Sequence, residues 1–280
     1  MSSVDLSQLP APDSIETLDY EAILAAIKSD LILRHPDSAA VLDLESEPLT
    51  KLCEVAAYRE LTLRARINDA AKSVMLAYAI GTDLDHLVAL YGIARLDAES
   101  DAALRARAQL SLEGFSVAGP IQAYRFHSLS ASPAVRDVTV LSPAPGVVRL
   151  VVLAQDGVPD AALLSTVLAA ASADTVRPLC DTVEAVAPAV INYAVQASLI
   201  CLPGPDTGTI LAAAQQACQR YVDEQFYLGR DIAQSGLLAA LHQPGVMRVE
   251  LSSPSAHLTV ASDQVANCTG IAITLGGTGQ

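Results

Sequence analysis

From Pro48 to Ile80 the chain reads "PLTKLCEVAAYRELTLRARINDAAKSVMLAYAI", with no glycine and no proline after the first residue. No other stretch constrains the fold as strongly. Proline suits the first position of a helix, where its missing N–H would have no partner anyway. Ser46 or Glu47 stands where a cap belongs, and Gly81 is a suitable stop. A helix over that span would be roughly 45–50 Å long, too long for one small globule. Leu49, Leu52, Ala56, Leu63, Ile67, Ala70 and Val74 recur at spacings of three, four and seven. That is the narrow apolar seam of a helical bundle. Lys51, Glu54, Arg59, Glu60, Arg64, Arg66, Asp69 and Lys72 carry both signs of charge over much of the remaining surface. Leu52, Leu63 and Ile67 are therefore expected to pack against helices of other chains as well as their own.

The composition supports that expectation. Hydrophobic residues make up 51% of the 280 residues, much of it alanine and valine, with 4% aromatics and no Trp. The mean hydropathy is +0.36. No run of about 18 apolar residues occurs, so no membrane-spanning helix is expected. The surplus fits apolar surface covered by partner chains. The net charge of −14 repels phosphate backbones, so no direct nucleic-acid binding is expected. The first residues, "MSSVDLSQLPAPDSIETLDYE", have neither a basic n-region nor an apolar core, and read as no signal peptide. Cys53, Cys180, Cys201, Cys218 and Cys268 are odd in number and far apart, which points to reduced thiols rather than a disulfide framework.

Element by element, residues 1–18 read as extended and punctuated by Pro10 and Pro12, followed by a helix over 19–33 and the long helix. Shorter helices follow over 83–91 and 100–112. The composition changes at "EGFSVAGP" (113–120), where a domain boundary is placed. Beyond it come a helix over 120–131 and two strands, "VRDVTVLS" and "GVVRLVVLA", split by "PAPG". A helix over 160–173 and a strand at "DTVEAVA" complete that part. After Pro188 the order restarts with a strand "NYAVQASLICL", helices over 206–226 and 233–241, and strands "VMRVELSS", "HLTVA" and "GIAITLGG". "PAVRDVTVLSP" and "PGVMRVELSSP" share a pattern and each follows a helix, so a duplicated α/β module and a chance match both stand open. The fold class is α+β multidomain: an N-terminal long-helix bundle domain followed by two small α/β sandwich-like domains. The boundaries are 1–115, 116–187 and 188–280.

Candidate chemistry is sparse. "LESEPLTKLCEVAAYRE" (44–60) gathers Glu45, Glu47, Glu54 and Glu60 around Cys53. Glu47, Glu54 and Glu60 are seven and six apart, so they form no chelating pair on one helical face. They read as the polar side of a bundle helix. "GTDLDHL" offers Asp83, Asp85 and His86, but Thr82 or Asp83 as a helix cap accounts for it. "PGPDTGT" (203–209) lacks the Lys-Ser/Thr of a phosphate loop, which leaves Asp206 or Thr207 as a cap. No catalytic residue, metal ligand or cofactor-binding residue is assigned. The alternative is a cytosolic enzyme or ligand-binding protein with an unrecognised pocket in the α/β domains.

Several long stretches do resemble a known family. "VDLSQLPAPDSIETLDYEAILA", "NDAAKSVMLAYAIGTDLDHL", "EGFSVAGPIQAYRFHSLSA", "YLGRDI" and "CTGIAITLGG" occur in this order along nearly the whole chain. They resemble baseplate assembly protein J of P2-like contractile phage tails, with relatives in R-type pyocins. Some relatives carry a Pro-rich insert after Arg95 and Leu96, where this chain runs directly into "DAESDAALR". The resemblance implies a baseplate wedge component and no enzyme. Its implied partners are a second copy of itself, a protein I-like wedge partner, and sheath-initiating and hub baseplate proteins. Assembly would take place in the bacterial cytoplasm, and the finished particle would be released. The expected interface residues are Leu49, Leu52, Leu63, Ile67 and Val74 on the long helix. Ile271, Ile273 and Leu275 are the candidates on the strand-rich tail, whose glycines (Gly276, Gly277, Gly279) are expected to leave its end flexible.

Overall fold

The computed structural model describes residues 5–116, 119–204 and 206–279. The first four residues, Val117 and Ala118 of the expected domain boundary, Pro205 and Gln280 lie outside the described residues. The chain divides into two compact units, one of residues up to Arg95 with Ser100–Gln109, the other of Leu96–Glu99 with Leu110–Gln280.

The first unit is helical. A 3-10 turn at Leu6–Gln8 interrupts the segment expected to be extended. Helix α1 (Tyr20–Arg34) starts where Asp19 accepts the N–H groups of Glu21 and Ala22 at 2.9 and 3.2 Å. It lies against α2 (Pro48–Ser73), whose buried residues are Thr50, Cys53, Ala57 and Asn68. Small side chains at Cys53 and Ala57 let a neighbouring backbone approach closely. The buried Asn68 is satisfied by accepting the Glu16 N–H at 3.0 Å and donating to the Glu16 carbonyl at 2.9 Å. It thereby ties the N-terminal segment to the helix.

Helix α2 ends at Ser73, eight residues before the expected stop at Gly81, so its 26 residues span about 39 Å. Beyond it, Arg105 of α4 (Asp101–Gly114) donates to the carbonyls of Leu76 and Ala79 at 2.6 and 2.7 Å and holds the turns that replace the helix there. Gly81 then begins α3 (Gly81–Ala89) with φ +54°. Neither Thr82 nor Asp83 caps this helix. Asp101 accepts the Gly81 N–H at 3.0 Å instead, and Arg95 bridges Asp85 and Asp101 at 2.7 Å each. These bonds to backbone and guanidinium hold the Asp101 carboxyl below the usual carboxylate range.

The second unit holds two α/β modules. The first runs α5 (Ile121–Ala131), β1 (Val135–Ala144), β2 (Val147–Ala154), α6 (Ala161–Ala171) and β3 (Thr182–Val186). Its sheet has the order β1-β2-β3, the first pair antiparallel and the second parallel. Gly146, at φ +74°, closes the β1–β2 hairpin. Strand β2 is a near-continuous apolar run because both its faces are covered. Leu150 and Val152 face the core with Tyr124, Val167 and Ala171, while Val151 and Leu153 pack with Leu228 and Val265 of the second module.

The second module comprises β4 (Ala189–Cys201), α7 (Thr207–Gln225), α8 (Gln234–Leu241), β5 (Val246–Ser253) and β6 (Gln264–Thr278), with sheet order β5-β4-β6. Alternate β4 residues, from Tyr193 through Val195, Ala197 and Leu199 to Cys201, are buried with Ile210, Ala214, Cys218 and Val222 at helical spacing on α7. The expected strand "HLTVA" is no strand: Leu258 makes only an isolated bridge to Ile232. Nor do the terminal glycines leave a loose end. Gly277 pairs with Ile200 at φ +123°, and the Gly279 N–H donates to Cys201 at 3.0 Å. A Cβ at Gly276 would sit 2.3 Å from the Ser198 hydroxyl, so a glycine lets the two strands meet there.

Each module has a central strand with one antiparallel and one parallel neighbour. The two similar stretches fall on equivalent places, the antiparallel edge strands β1 and β5, each after a helix. The order of elements differs, however. In the first module this helix–strand pair precedes the central strand, and in the second it follows, so the second is not a simple tandem copy.

The junction between the modules is polar as well as apolar. Arg136 on β1 donates to the carbonyls of Phe226 at 2.8 Å and Asp223 at 2.7 Å, and its guanidinium lies 5.1 Å from the Phe226 ring and 4.9 Å from the Tyr227 ring. It caps the C-terminal end of α7 from the other module. The adjacent buried Asp137 accepts from Arg125 at 2.7 Å, from the Val138 N–H at 2.9 Å and from the Leu228 N–H at 3.3 Å.

Candidate assembly interface

Helix α2 has two apolar rows, and its own chain uses one of them. At about 100° per residue, Thr50, Cys53, Ala57, Leu61 and Asn68 lie together, while Leu52, Ala56, Leu63, Ile67 and Ala70, with Val74 at the C-cap, centre about 120° further round the helix. Leu52, Leu63 and Ile67 are each 64% exposed and Val74 68%. Leu49, at the edge of that row, is half-buried. Each of these side chains would be worth roughly 1.5–3 kcal/mol if fully withdrawn from water. Four large apolar side chains in line on one helix form an unusual surface for a lone chain and a normal one for a bundle helix.

The two glutamates of the same helix are engaged on its surface. Glu54 pairs with Lys51 at 3.0 Å, and Arg64 holds both Glu60 at 2.8 Å and Glu16 at 2.9 Å. Cys53 is buried. Asp85 is held by Arg95, while Asp83 and His86 are exposed. Among the described residues, no group of three or more His, Cys, Asp or Glu is placed to hold a metal ion, and no helix is long and apolar enough to cross a membrane.

Titratable groups in the second unit serve packing. Burial pushes the Cys218 thiol up to about 11. The Tyr124 hydroxyl is raised by burial and by its 2.8 Å bond to Asp181. Burial holds His127 below the ordinary imidazole range, though its ring nitrogen lies 3.2 Å from the Gly114 carbonyl. A cleft of about 450 Å³ beside the module junction is lined by Arg136, Asp223, Glu224, Gln225, Tyr227 and Arg230. Both its arginines stack on Tyr227.

At the other end of the chain, β6 is an edge strand of its sheet, paired with β4 on one side only. On the other side, the described residues place a bridge from Leu228 to Val265 and a bond from the Gly229 N–H to Gln264. The strand onward from Ala266, "ANCTGIAITLGGT", carries no charge and no proline. Ile271 and Ile273 are half-buried against their own module's core, whereas Leu275 is 44% exposed. The hydrophobic pattern pointed to all three residues; the side they pack on depends on the β4 register.

Comparison with known proteins gives one pattern across the chain. Residues 45–100 match the Baseplate J-like N-terminal domain, residues 116–187 the Baseplate J-like central domain, and residues 193–274 the Baseplate J-like protein C-terminal domain. The chain is 43% identical over 299 residues to baseplate protein J of Escherichia phage P2, covering 99% of both chains. Among solved structures, a chain in the six-fold symmetrised cryo-EM baseplate of the anti-feeding prophage is 18% identical with a TM-score of 0.45. That likeness covers 63% of this chain and 42% of the other, so the matched part spans less than half the length of that one.

Proposed function

This chain belongs to the baseplate J family and is a structural component of a phage-tail-type baseplate, and we propose that it builds a wedge of that baseplate. In this reading two copies of the chain join one copy of a protein I-like partner, and wedges close into a ring around a central hub. Sheath-initiating and hub proteins are its neighbours, and the ring rearranges when the sheath contracts. Residues 1–115 contribute to a shared helical bundle, 116–187 form the middle of the arm, and 188–280 pair with a neighbouring copy. Wedges form in the bacterial cytoplasm and leave the cell in the finished particle. The chain's work is to hold geometry, and no catalytic step is assigned to it.

The observation that carries this reading is the exposed row of Leu52, Leu63 and Ile67 on α2 with Val74 at its C-cap, apart from the face the chain buries itself. The charge-free outer edge of β6 with Leu275 is the proposed second contact. Its unpaired N–H and C=O groups can receive a strand from another copy. The test is Leu63→Asp. Leu63 is mostly exposed, so the chain should keep its circular dichroism and melting temperature within about 2 °C. Assembled baseplates recovered from producing cells should fall at least tenfold, because a carboxylate in the middle of the apolar row is costly to take out of water. Normal recovery would remove the α2 row from the interface.

A further inference from the structure

We propose that the open face of α2 is closed by an acidic amphipathic helix, one with carboxylates about seven residues apart beside its apolar row, and that Arg59 and Arg66 select it. This rests on the reading of that face as an assembly surface and goes beyond it by naming the chemistry of the occupant. The two arginines are one heptad apart and lie about 40° and 60° round the helix from Leu63, on one flank of the exposed row. Both are exposed.

Their state differs from that of the other cations nearby. Lys51 and Arg64 hold carboxylates of their own chain. Among the described residues, Arg59 and Arg66 make no ion pair. Arg59 has Val55, Ala56, Thr62 and Leu63 at its four neighbouring helical positions, none of them charged. Arg66 has Asp69 one turn on and does not bond it. In a chain with 31 acidic and 17 basic residues, two arginines are thus left uncompensated beside an apolar row.

Covering that row removes water from both guanidinium groups. A purely apolar occupant would leave two desolvated, unpaired charges, which is strongly unfavourable. Carboxylates at matching spacing would take them bidentately and fix the register of the partner. The same helix from a second copy fits poorly. Antiparallel pairing centred beside Leu63 sets Arg59 against Arg66 of the other copy, and parallel pairing in register sets each arginine against itself.

The experiment uses the full chain and two synthetic 21-residue amphipathic helices with the same leucine row, one flanked by glutamate and one by lysine. Fluorescence anisotropy should show the glutamate peptide binding at least tenfold more tightly, and R59E/R66E should invert that preference. In producing cells, R59E/R66E should lower baseplate recovery as Leu63→Asp does, while the purified variant melts as wild type. Equal binding of both peptides, or unchanged recovery for R59E/R66E, would overturn the acidic-helix proposal. If Leu63→Asp still blocks assembly in that case, the assembly reading survives without it. Sedimentation of the wild-type chain as a dimer that Leu63→Asp dissociates would also overturn the proposal, because the occupant would then be a second copy.

Discussion

Replacing Arg136 by alanine should loosen the second unit at one defined place. The guanidinium donates to two carbonyls at the end of α7, at 2.8 and 2.7 Å, and stacks on Phe226 and Tyr227. Each hydrogen bond from a partly exposed cation is worth about 1 kcal/mol net, and each stacking contact about 0.5 kcal/mol. The sum, about 3 kcal/mol, corresponds to a fall of about 6–12 °C in the melting temperature of a unit this size. The apolar junction of Val151, Leu153, Leu228 and Val265 remains. The modules should therefore stay joined while the C-terminal turn of α7 frays. Calorimetry of the full chain checks the first effect, and hydrogen exchange of peptides covering 223–228 checks the second. Arg136→Lys should recover less than half of the loss, since a lysine cannot reach both carbonyls as a fork. A melting temperature within about 1 °C of wild type, with unchanged exchange at 223–228, would refute the idea that this side chain fastens one module to the other.

Two more expectations concern the second module. Gly277→Ala should cost about 1–3 kcal/mol in thermal denaturation, because φ +123° is a conformation that a residue with a Cβ rarely adopts; an unchanged melting temperature would mean the strand end does not hold that shape. Asp206→Ala should lower the melting temperature of the unit at pH 7, because the carboxylate accepts the Thr209 hydroxyl at 2.7 Å and the backbone N–H groups of Thr209 and Gly208 at 3.0 and 3.4 Å. Those bonds, led by the Thr209 hydroxyl, hold its pKa below the usual carboxylate value. The stabilisation is therefore complete above the unfolded value of about 4 and is lost as pH falls through the lower folded value. Melting curves of wild type and variant should converge in acid, and a gap that persists there would point to a role other than capping.

Most element positions were readable because the cues are local. Asp19 and Asp206 cap the helices they precede, Pro48 opens α2, and Gly146 closes its hairpin. The long stretches that resemble the J family agree with the identity to phage P2 baseplate protein J along the whole chain. The misreadings share one physical cause, a determinant far away in sequence. No residue between Val74 and Ile80 breaks a helix by itself, and the turns found there are held by Arg105, 29 residues on from Leu76. "HLTVA" has strand composition, but β5, β4 and β6 form the sheet without it. The junction of Arg136 and Asp137 with residues 223–228 spans about ninety positions and leaves no periodic trace.

Helix α2 shows why its leucine row pointed outward when a leucine row usually points in. Closeness to α1 calls for small side chains, and the chain supplies them at Cys53 and Ala57. The free backbone groups of Glu16 need a polar partner, and Asn68 provides one inside the contact. The inward face thus looks less hydrophobic than the outward one, because its composition answers to distance and hydrogen bonding as well as to transfer from water. Leu52, Leu63, Ile67 and Val74 answer to neither demand within this chain. A second apolar row, left over after the close-packed face is assigned, is the part of an assembly surface that a single sequence reveals. The charges beside it, Arg59 and Arg66, carry the information about what covers it.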